Sequence, residues 1–123
     1  MMTAIRSELN IPQLTVERSE TDGIHIVALS GELDMRGVGE LETVLAQPGA
    51  GARICLDLTK LSFIDSTGLA TVIRGHQALT AGGGAMAVAC GAKGSVRRTF
   101  DTTGLTTLLT VTADRATALQ ALG

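Results

Sequence analysis

Aromatic residues are almost absent from this sequence of 123 residues, which has two phenylalanines and neither tryptophan nor tyrosine. Proteins that hold single-stranded nucleic acid stack its bases on aromatic side chains, and there is little material for that here. An excess of positive charge is also absent, because 10 basic residues are spread among 12 acidic ones without a basic stripe. We therefore expect no nucleic acid among the partners and a core built of aliphatic side chains.

Long apolar runs and paired cysteines are missing as well. No stretch approaches the roughly 18 to 20 apolar residues of a membrane helix, and residues 1–13 have no signal-peptide core. Cys55 and Cys90 stand apart in separate apolar runs, which is typical of small buried hydrophobes and matches neither a zinc site nor a disulfide framework. We expect a cytoplasmic protein with no membrane partner, no bound metal and no cofactor.

The sequence does contain an alternation of strand-like and helix-like apolar patterns. Two strand-like runs, at 14–18 and 24–29, flank Asp22-Gly23, a typical hairpin turn. Later strands are predicted at 53–58, 85–90 and 105–111, and helices are predicted to begin near Val38, after Ser66, near Val96 and at Asp114. This order predicts an α/β fold, a mixed sheet of about five strands with about four helices. We assign residues 13–123 to one domain and residues 1–12 to an N-terminal tail.

The polar chemistry is concentrated where the third predicted strand gives way to a helix, at Asp65-Ser66-Thr67-Gly68. Asp, Ser and Thr all accept hydrogen bonds from the free N–H groups of a first turn, so one interpretation makes Ser66 a helix cap only. Gly68 is a poor helix former and would let another surface approach the backbone closely. The carboxyl end of an interior strand is also where open α/β sheets place their sites, which favours a functional hydroxyl.

A second acid, Asp34, follows the second predicted strand and stands at or near the start of the first helix. A carboxylate at a helix start is stabilised by the helix dipole, which would make the role of Asp34 structural. Contact with another molecule is the alternative.

Catalysis needs a nucleophile with a base in hydrogen-bonding reach, and the sequence does not provide that pair. His76 lies ten residues after Ser66 on the same predicted helix, about 15 Å away by the helical rise. His25 is predicted on the exposed polar face of a strand. The motifs of serine hydrolases, zinc peptidases and P-loop proteins are absent. We therefore expect that the protein is not an enzyme and has no catalytic residue. A hydrolase that uses Ser66 as its nucleophile ranks only third among the hypotheses for its function.

A hydroxyl without catalytic partners is better suited to receiving a group than to transferring one. A phosphate on Ser66 would add about −1.5 to −2 charges at the positive end of a helix, so the fold should survive. The surface beside Asp65 would change instead, and an acidic or close-fitting partner would be repelled. Such a modification would switch partner affinity rather than shape.

Three blocks of the sequence resemble one known family. The segment Leu61-Ser62-Phe63-Ile64-Asp65-Ser66-Thr67-Gly68-Leu69 resembles the phosphorylation motif of bacterial anti-sigma factor antagonists, the single-domain members of the STAS family. The segments at 29–34 and 96–105 resemble the family in the same order, so the resemblance covers almost the whole chain from about residue 13. It implies a STAS-like α/β fold and a protein that acts by binding.

The resemblance also implies a role for each matching residue. In the family the serine after the aspartate is phosphorylated by a cognate anti-sigma factor, a serine kinase using ATP and Mg²⁺, and is restored by a PP2C-type phosphatase. Unphosphorylated antagonist captures the anti-sigma factor and so frees a sigma factor. Ser66 holds the place of the phosphorylated serine, and Asp34 that of an acid in contact with the kinase. The implied partner-binding residues are Asp34, Asp65, Ser66, Thr67, Gly68 and Leu69.

Two alternatives remain within the resemblance. Thr67 stands where sporulation-type members often have a second serine, so it is a second candidate acceptor of phosphate. STAS domains also occur as non-catalytic scaffold subunits of transport or signalling assemblies. In that alternative Ser66 would be a helix cap only.

Overall fold

The computed structural model describes residues 14–123, so the tail predicted at 1–12 lies outside the described residues. The predicted hairpin is present, because strands β1 (Leu14–Thr21) and β2 (Ile24–Leu33) are antiparallel. Asp22 and Gly23 join them with positive φ values of 50° and 77°. A two-residue type I′ turn requires positive φ at both positions, and Asp-Gly adopts it readily.

Five strands form one sheet in the order β1-β2-β3-β4-β5. Three strands follow the hairpin, each parallel to the strand before it, namely β3 (Arg53–Ile64), β4 (Ala85–Ala89) and β5 (Thr110–Thr112). Parallel neighbours need crossover connections, which the helices provide. The prediction of a mixed sheet of about five strands is therefore confirmed.

The four predicted helices are present as well. They are α1 (Val38–Ala46), α2 (Ser66–Ala81), α3 (Ser95–Thr102) and α4 (Arg115–Leu122). None of the helices among the described residues is long and apolar enough to cross a membrane.

Strands β1 and β2 continue a few residues beyond the predicted runs at 14–18 and 24–29, and β3 and β5 depart further from the prediction. Strand β3 continues six residues beyond Leu58, because its second half keeps pairing with β2 through two register shifts. Strand β5 is shorter than predicted, because Leu105–Thr107 forms a 3₁₀ helix. Leu105 and Leu109 are both buried, and their spacing of four residues suits a helical turn rather than a strand.

The core lies on both faces of the sheet. On one face, α1, α2 and α3 cover a large aliphatic cluster around the fully buried Phe100, Leu56 and Val72. On the other face, α4 covers a smaller cluster of short side chains that includes Cys55 and Ala118. Both cysteines are free and buried as predicted, and burial raises the pKa of the Cys55 thiol to about 11.

A buried ion pair joins α4 to the middle of the sheet. Asp57 is only 6% exposed, and its Oδ2 accepts a hydrogen bond from Arg115 Nε at 2.8 Å. Its Oδ1 accepts from the backbone N–H and the hydroxyl of Thr59, at 2.9 and 2.6 Å. Burial alone would raise the pKa of Asp57, but these hydrogen bonds from Thr59 and Arg115 outweigh it and hold the pKa below its usual value.

Candidate functional site

The candidate site lies where strands β2 and β3 end side by side. Leu33 and Ile64 are paired in the sheet, and the N–H of Asp65 donates to the carbonyl of Leu33 at 3.2 Å. Asp34 and Asp65 are the next residues on the two chains. Neighbouring strands are separated by about 4.8 Å, so the sheet brings these two predicted site residues together at its carboxyl edge.

Asp65 caps helix α2. It has extended backbone angles, and its Oδ1 accepts a hydrogen bond from the N–H of Gly68 at 2.9 Å. The same oxygen accepts the hydroxyl of Thr67 at 2.6 Å. The Thr67 hydroxyl and then the Gly68 N–H hold the pKa of Asp65 below its usual value. The interpretation of Ser66 as the helix cap is therefore wrong.

Ser66 is the first residue of the helix, and its side chain is exposed. Among residues 14–123, its hydroxyl makes no hydrogen bond, whereas the neighbouring Thr67 hydroxyl is held by Asp65. Ser66 also lies at the positive end of the helix dipole. The strand-to-helix junction thus presents one free hydroxyl to solvent.

Gly68 and Leu69, two of the predicted partner-binding residues, are buried. A Cβ on Gly68 would lie 2.9 Å from side-chain carbons of Ile64 and Leu33 and 3.0 Å from the Leu33 carbonyl oxygen. The expectation that Gly68 lets another molecule approach is wrong, because the end of β2 already occupies that space. Leu69 belongs to the aliphatic core under α2.

Asp34 lies before α1 and does not cap it. The cap is Gly37, and the acid in the first turn of α1 is Glu40. The carboxylate of Asp34 instead accepts from three donor groups of Arg36, its backbone N–H at 2.9 Å, Nε at 3.1 Å and Nη2 at 2.7 Å. The guanidinium of Arg36, and then its backbone N–H, hold the pKa of Asp34 below its usual value. The helix-dipole interpretation of Asp34 is therefore wrong.

Sequence comparison decides the family. The family model described as STAS domain matches residues 15–118. The chain belongs to the STAS family. An anti-sigma F factor antagonist of Paenibacillus polymyxa is 31% identical over 113 residues, which are 89% of this chain and 95% of that protein.

Solved structures share the fold of this STAS domain. An anti-sigma factor antagonist from Mycobacterium paratuberculosis matches with a TM-score of 0.80 and 25% identity, over 89% of this chain and 94% of that one. The phosphorylated form of SpoIIAA, a Bacillus cell fate determinant, matches with a TM-score of 0.67 and 23% identity, over 89% of this chain and all of that one.

Two exposed apolar side chains lie beside the site in the STAS domain. Met35, which follows Asp34, is 72% exposed, and Phe63, two residues before Asp65, is 45% exposed. Phe63 pairs with Glu32 on β2. The next residue of the strand, Ile64, points into the core, so Phe63 projects from the opposite face of the sheet. Met35 could not be assigned from the sequence, because a methionine in a glycine-rich loop carries no pattern that marks it as exposed.

The histidines take no part in the site of the STAS domain. His76 lies ten residues along α2 from Ser66, and its Nδ1 is buried without a hydrogen-bond partner among the described residues. His25, predicted to be exposed, is half-buried on β2 beside α1. No cluster of three or more potential metal ligands is found within residues 14–123.

Proposed function

We propose that this STAS protein is an anti-sigma factor antagonist, and that phosphorylation of Ser66 switches off its binding to the anti-sigma factor. The observation that carries the proposal is the contrast between two adjacent hydroxyls. Ser66 Oγ is exposed and unengaged among residues 14–123, whereas Thr67 Oγ1 donates to Asp65 at 2.6 Å. The names of the Paenibacillus and Mycobacterium relatives, both anti-sigma factor antagonists, support the same function.

The contrast also favours Ser66 over Thr67 as the acceptor. A kinase must present the attacking hydroxyl to the γ-phosphate of ATP in line with the bond that breaks. Thr67 would first have to give up a short hydrogen bond to a carboxylate, and Asp65 would lose one of its two donors at this helix start. Ser66 can turn toward the kinase without that cost. We therefore propose Ser66 as the single acceptor.

The phosphate would act on the surface and leave the fold intact. It would add about −1.5 to −2 charges at the N-terminus of α2, where the helix dipole and free N–H groups favour an anion. Two carboxylates, Asp34 and Asp65, already lie at this edge of the sheet. A partner that fits the unmodified edge would then meet concentrated negative charge and be repelled. SpoIIAA in its phosphorylated form has the same fold, in line with a change of surface only.

Exposed apolar groups give the partner something to bind besides charge. Met35 and Phe63 border the two carboxylates, and buried contacts of this kind carry most of the energy of a protein interface. The proposed partner surface consists of Met35, Phe63, Asp34, Asp65, Ser66 and Thr67. Gly68 and Leu69 are buried beneath this surface and hold the start of α2 in place.

The remaining parts of the proposal follow from the resemblance. The anti-sigma factor that binds the surface is the serine kinase that modifies Ser66, and a PP2C-type phosphatase reverses the modification. The STAS protein itself catalyses nothing and acts in the cytoplasm together with these partners. In the scaffold alternative Ser66 would be a helix cap only, but Asp65 holds that position, which supports the switch.

Intact mass after incubation with Mg·ATP and candidate anti-sigma kinases tests the proposal. We expect one phosphate on the wild type and on Thr67→Val, and none on Ser66→Ala. Valine matches the shape of threonine without the hydroxyl, so Thr67→Val is the matched control. A phosphate that persists on Ser66→Ala and disappears from Thr67→Val would reassign the acceptor. No phosphate on the folded wild type with any candidate kinase would contradict the phosphorylation switch.

A further inference from the structure

One arginine side chain is shared among the acids at this edge of the sheet. Arg36 reaches Asp34 with Nε at 3.1 Å and Nη2 at 2.7 Å, and its Nη2 also lies 3.9 Å from a carboxylate oxygen of Glu32. Asp65 follows the neighbouring strand. Two carboxylates thus lie near the Arg36 guanidinium, which is engaged mainly by Asp34.

We propose that phosphorylation of Ser66 moves the Arg36 side chain from Asp34 to the phosphate, so that the modification also uncovers the Asp34 carboxylate. The proposal rests on the proposed function for the modification itself. Beyond the proposed function, it predicts that phosphorylation of Ser66 also changes the surface at Asp34, a residue that is not itself modified. Arg36 would then be the element that links Ser66 to Asp34.

Arg36 and Ser66 follow the ends of two neighbouring strands. Asp34 and Asp65 follow the paired residues Leu33 and Ile64, so their backbones are separated by about one strand spacing of 4.8 Å. Ser66 is the next residue after Asp65, and Arg36 is two residues from Asp34. The Arg36 side chain is 55% exposed, and its long flexible stem lets the guanidinium turn through solvent.

The phosphate is the stronger acceptor. A phosphoserine carries about −1.5 to −2 charges and three acceptor oxygens, and the planar guanidinium binds two of them at once. The Arg36 side of the pair that must break is 55% exposed, so water screens part of its attraction to Asp34. An arginine placed between a carboxylate and a phosphate dianion should therefore favour the phosphate.

The loop between β2 and α1 does not have to move when the Arg36 guanidinium leaves Asp34. The carboxylate of Asp34 keeps the backbone N–H of Arg36 at 2.9 Å, and the Asp34 carbonyl accepts from the N–H of Gly37 at 3.0 Å. Asp34 therefore stays in place with a less neutralised carboxylate. The phosphorylated surface would differ from the unmodified one at two positions, Ser66 and Asp34.

Phosphorus NMR can test whether Arg36 pairs with the phosphate. The protein is made with phosphoserine placed at position 66 during translation, and the phosphate is then titrated. The second pKa of a phosphoserine is about 6, and pairing with Arg36 should lower it by about half a pH unit relative to Arg36→Gln. The matched control is Arg18→Gln, because Arg18 is also exposed but lies on β1 and bonds to the neutral Gln47. Equal phosphate pKa values in wild type and Arg36→Gln would overturn the proposal.

The pKa of the Asp34 carboxyl, followed by carbon NMR, tests the second half. Repulsion by the phosphate raises this pKa in any background, but in the wild type the loss of Arg36 adds to the rise. We therefore expect phosphorylation to raise the pKa of Asp34 more in wild type than in Arg36→Gln. Equal rises would mean that Arg36 stays on Asp34, and the exchange would be refuted. Because translation installs the phosphoserine, neither result depends on finding a kinase, whose absence would count against the proposed function alone.

Discussion

Gly68 lies directly against the carbonyl oxygen of Leu33, so that helix α2 begins in contact with the end of strand β2. A Cβ at position 68 would be 3.0 Å from that oxygen and 2.9 Å from Leu33 Cγ. This contact holds Ser66 beside Asp34. The glycine therefore serves the site by fixing its geometry rather than by facing a partner.

Substitution of Gly68 tests that contact. We expect Gly68→Ala to lower the free energy of unfolding by about 1–3 kcal/mol, because the neighbouring atom is backbone and cannot move aside. Gly39→Ala is the matched control, since Gly39 is also helical but has nothing within 4 Å of its Cβ position. There the change should stabilise by about 0.5–1 kcal/mol. Urea denaturation measures both, and equal effects would contradict the close packing at Gly68.

The buried pair of Asp57 and Arg115 leads to a second prediction. We expect Arg115→Met to cost about 2–3 kcal/mol of unfolding free energy at pH 7, because it leaves a buried carboxylate without its counter-ion. Asp57→Asn should cost less, since the Arg115 side chain is 44% exposed and can turn to water. Denaturation of the two variants checks this order. A larger loss in Asp57→Asn would contradict it.

The ion pair of Asp57 and Arg115 should also make the free energy of unfolding depend on pH in the acid range. The folded pKa of Asp57 is lowered, so its contribution is present above the unfolded value of about 3.9 and is lost as the pH falls through the folded value. The difference in stability between wild type and Arg115→Met should therefore narrow as the pH falls from 7 through the lowered folded pKa of Asp57. A difference that does not change with pH would mean that the pair contributes packing rather than charge.

The sequence predicted the strands and helices better than it predicted the contacts that their residues make. Asp22-Gly23 indicated the hairpin because positive φ is a property of those two residues, and the helix after Asp65 followed from apolar spacing. The choice of cap could not be predicted in the same way. Asp65, Ser66 and Thr67 can all cap a helix, and only the backbone angles at Asp65 decide which one does.

Contacts between distant residues account for what the sequence did not reveal. The space beside Gly68 is filled by Leu33, which is 35 positions earlier, and the second half of β3 is a strand because β2 runs alongside it. The contact of Arg36 with Asp34 is local, but it depends on a turn that folds the chain between β2 and α1 back on itself. None of these contacts has a periodic signature, and each changes the interpretation of a site residue.

The exposed apolar residues beside the site give a fourth prediction. We expect Met35→Ser and Phe63→Ser each to weaken binding of the anti-sigma factor about tenfold or more, because the partner would bury these side chains. Their effect on the melting temperature should be small, since both residues are largely exposed in the free protein. Calorimetric titration and thermal denaturation measure the two quantities.

Leu108→Ser is the matched control for these two variants. Leu108 is 51% exposed, but it precedes β5, so it lies at the amino edge of the parallel strands, opposite Ser66. Its substitution should leave partner binding unchanged. Equal losses in all three variants would indicate a nonspecific effect of exposed apolar surface.

A negative charge at position 66 should weaken binding of the anti-sigma factor without lowering the stability of the fold. Ser66 is the first residue of α2, after the cap, where the helix dipole favours an acidic side chain, so Ser66→Asp should fold as well as the wild type. Its carboxylate would add to those of Asp34 and Asp65, and capture of the anti-sigma factor should fall by tenfold or more. Ser66→Asn, which has nearly the same shape without the charge, should bind much more tightly than Ser66→Asp. If Asn and Asp weakened capture equally, the shape of the side chain rather than its charge would control binding, and the electrostatic basis of the switch would be refuted.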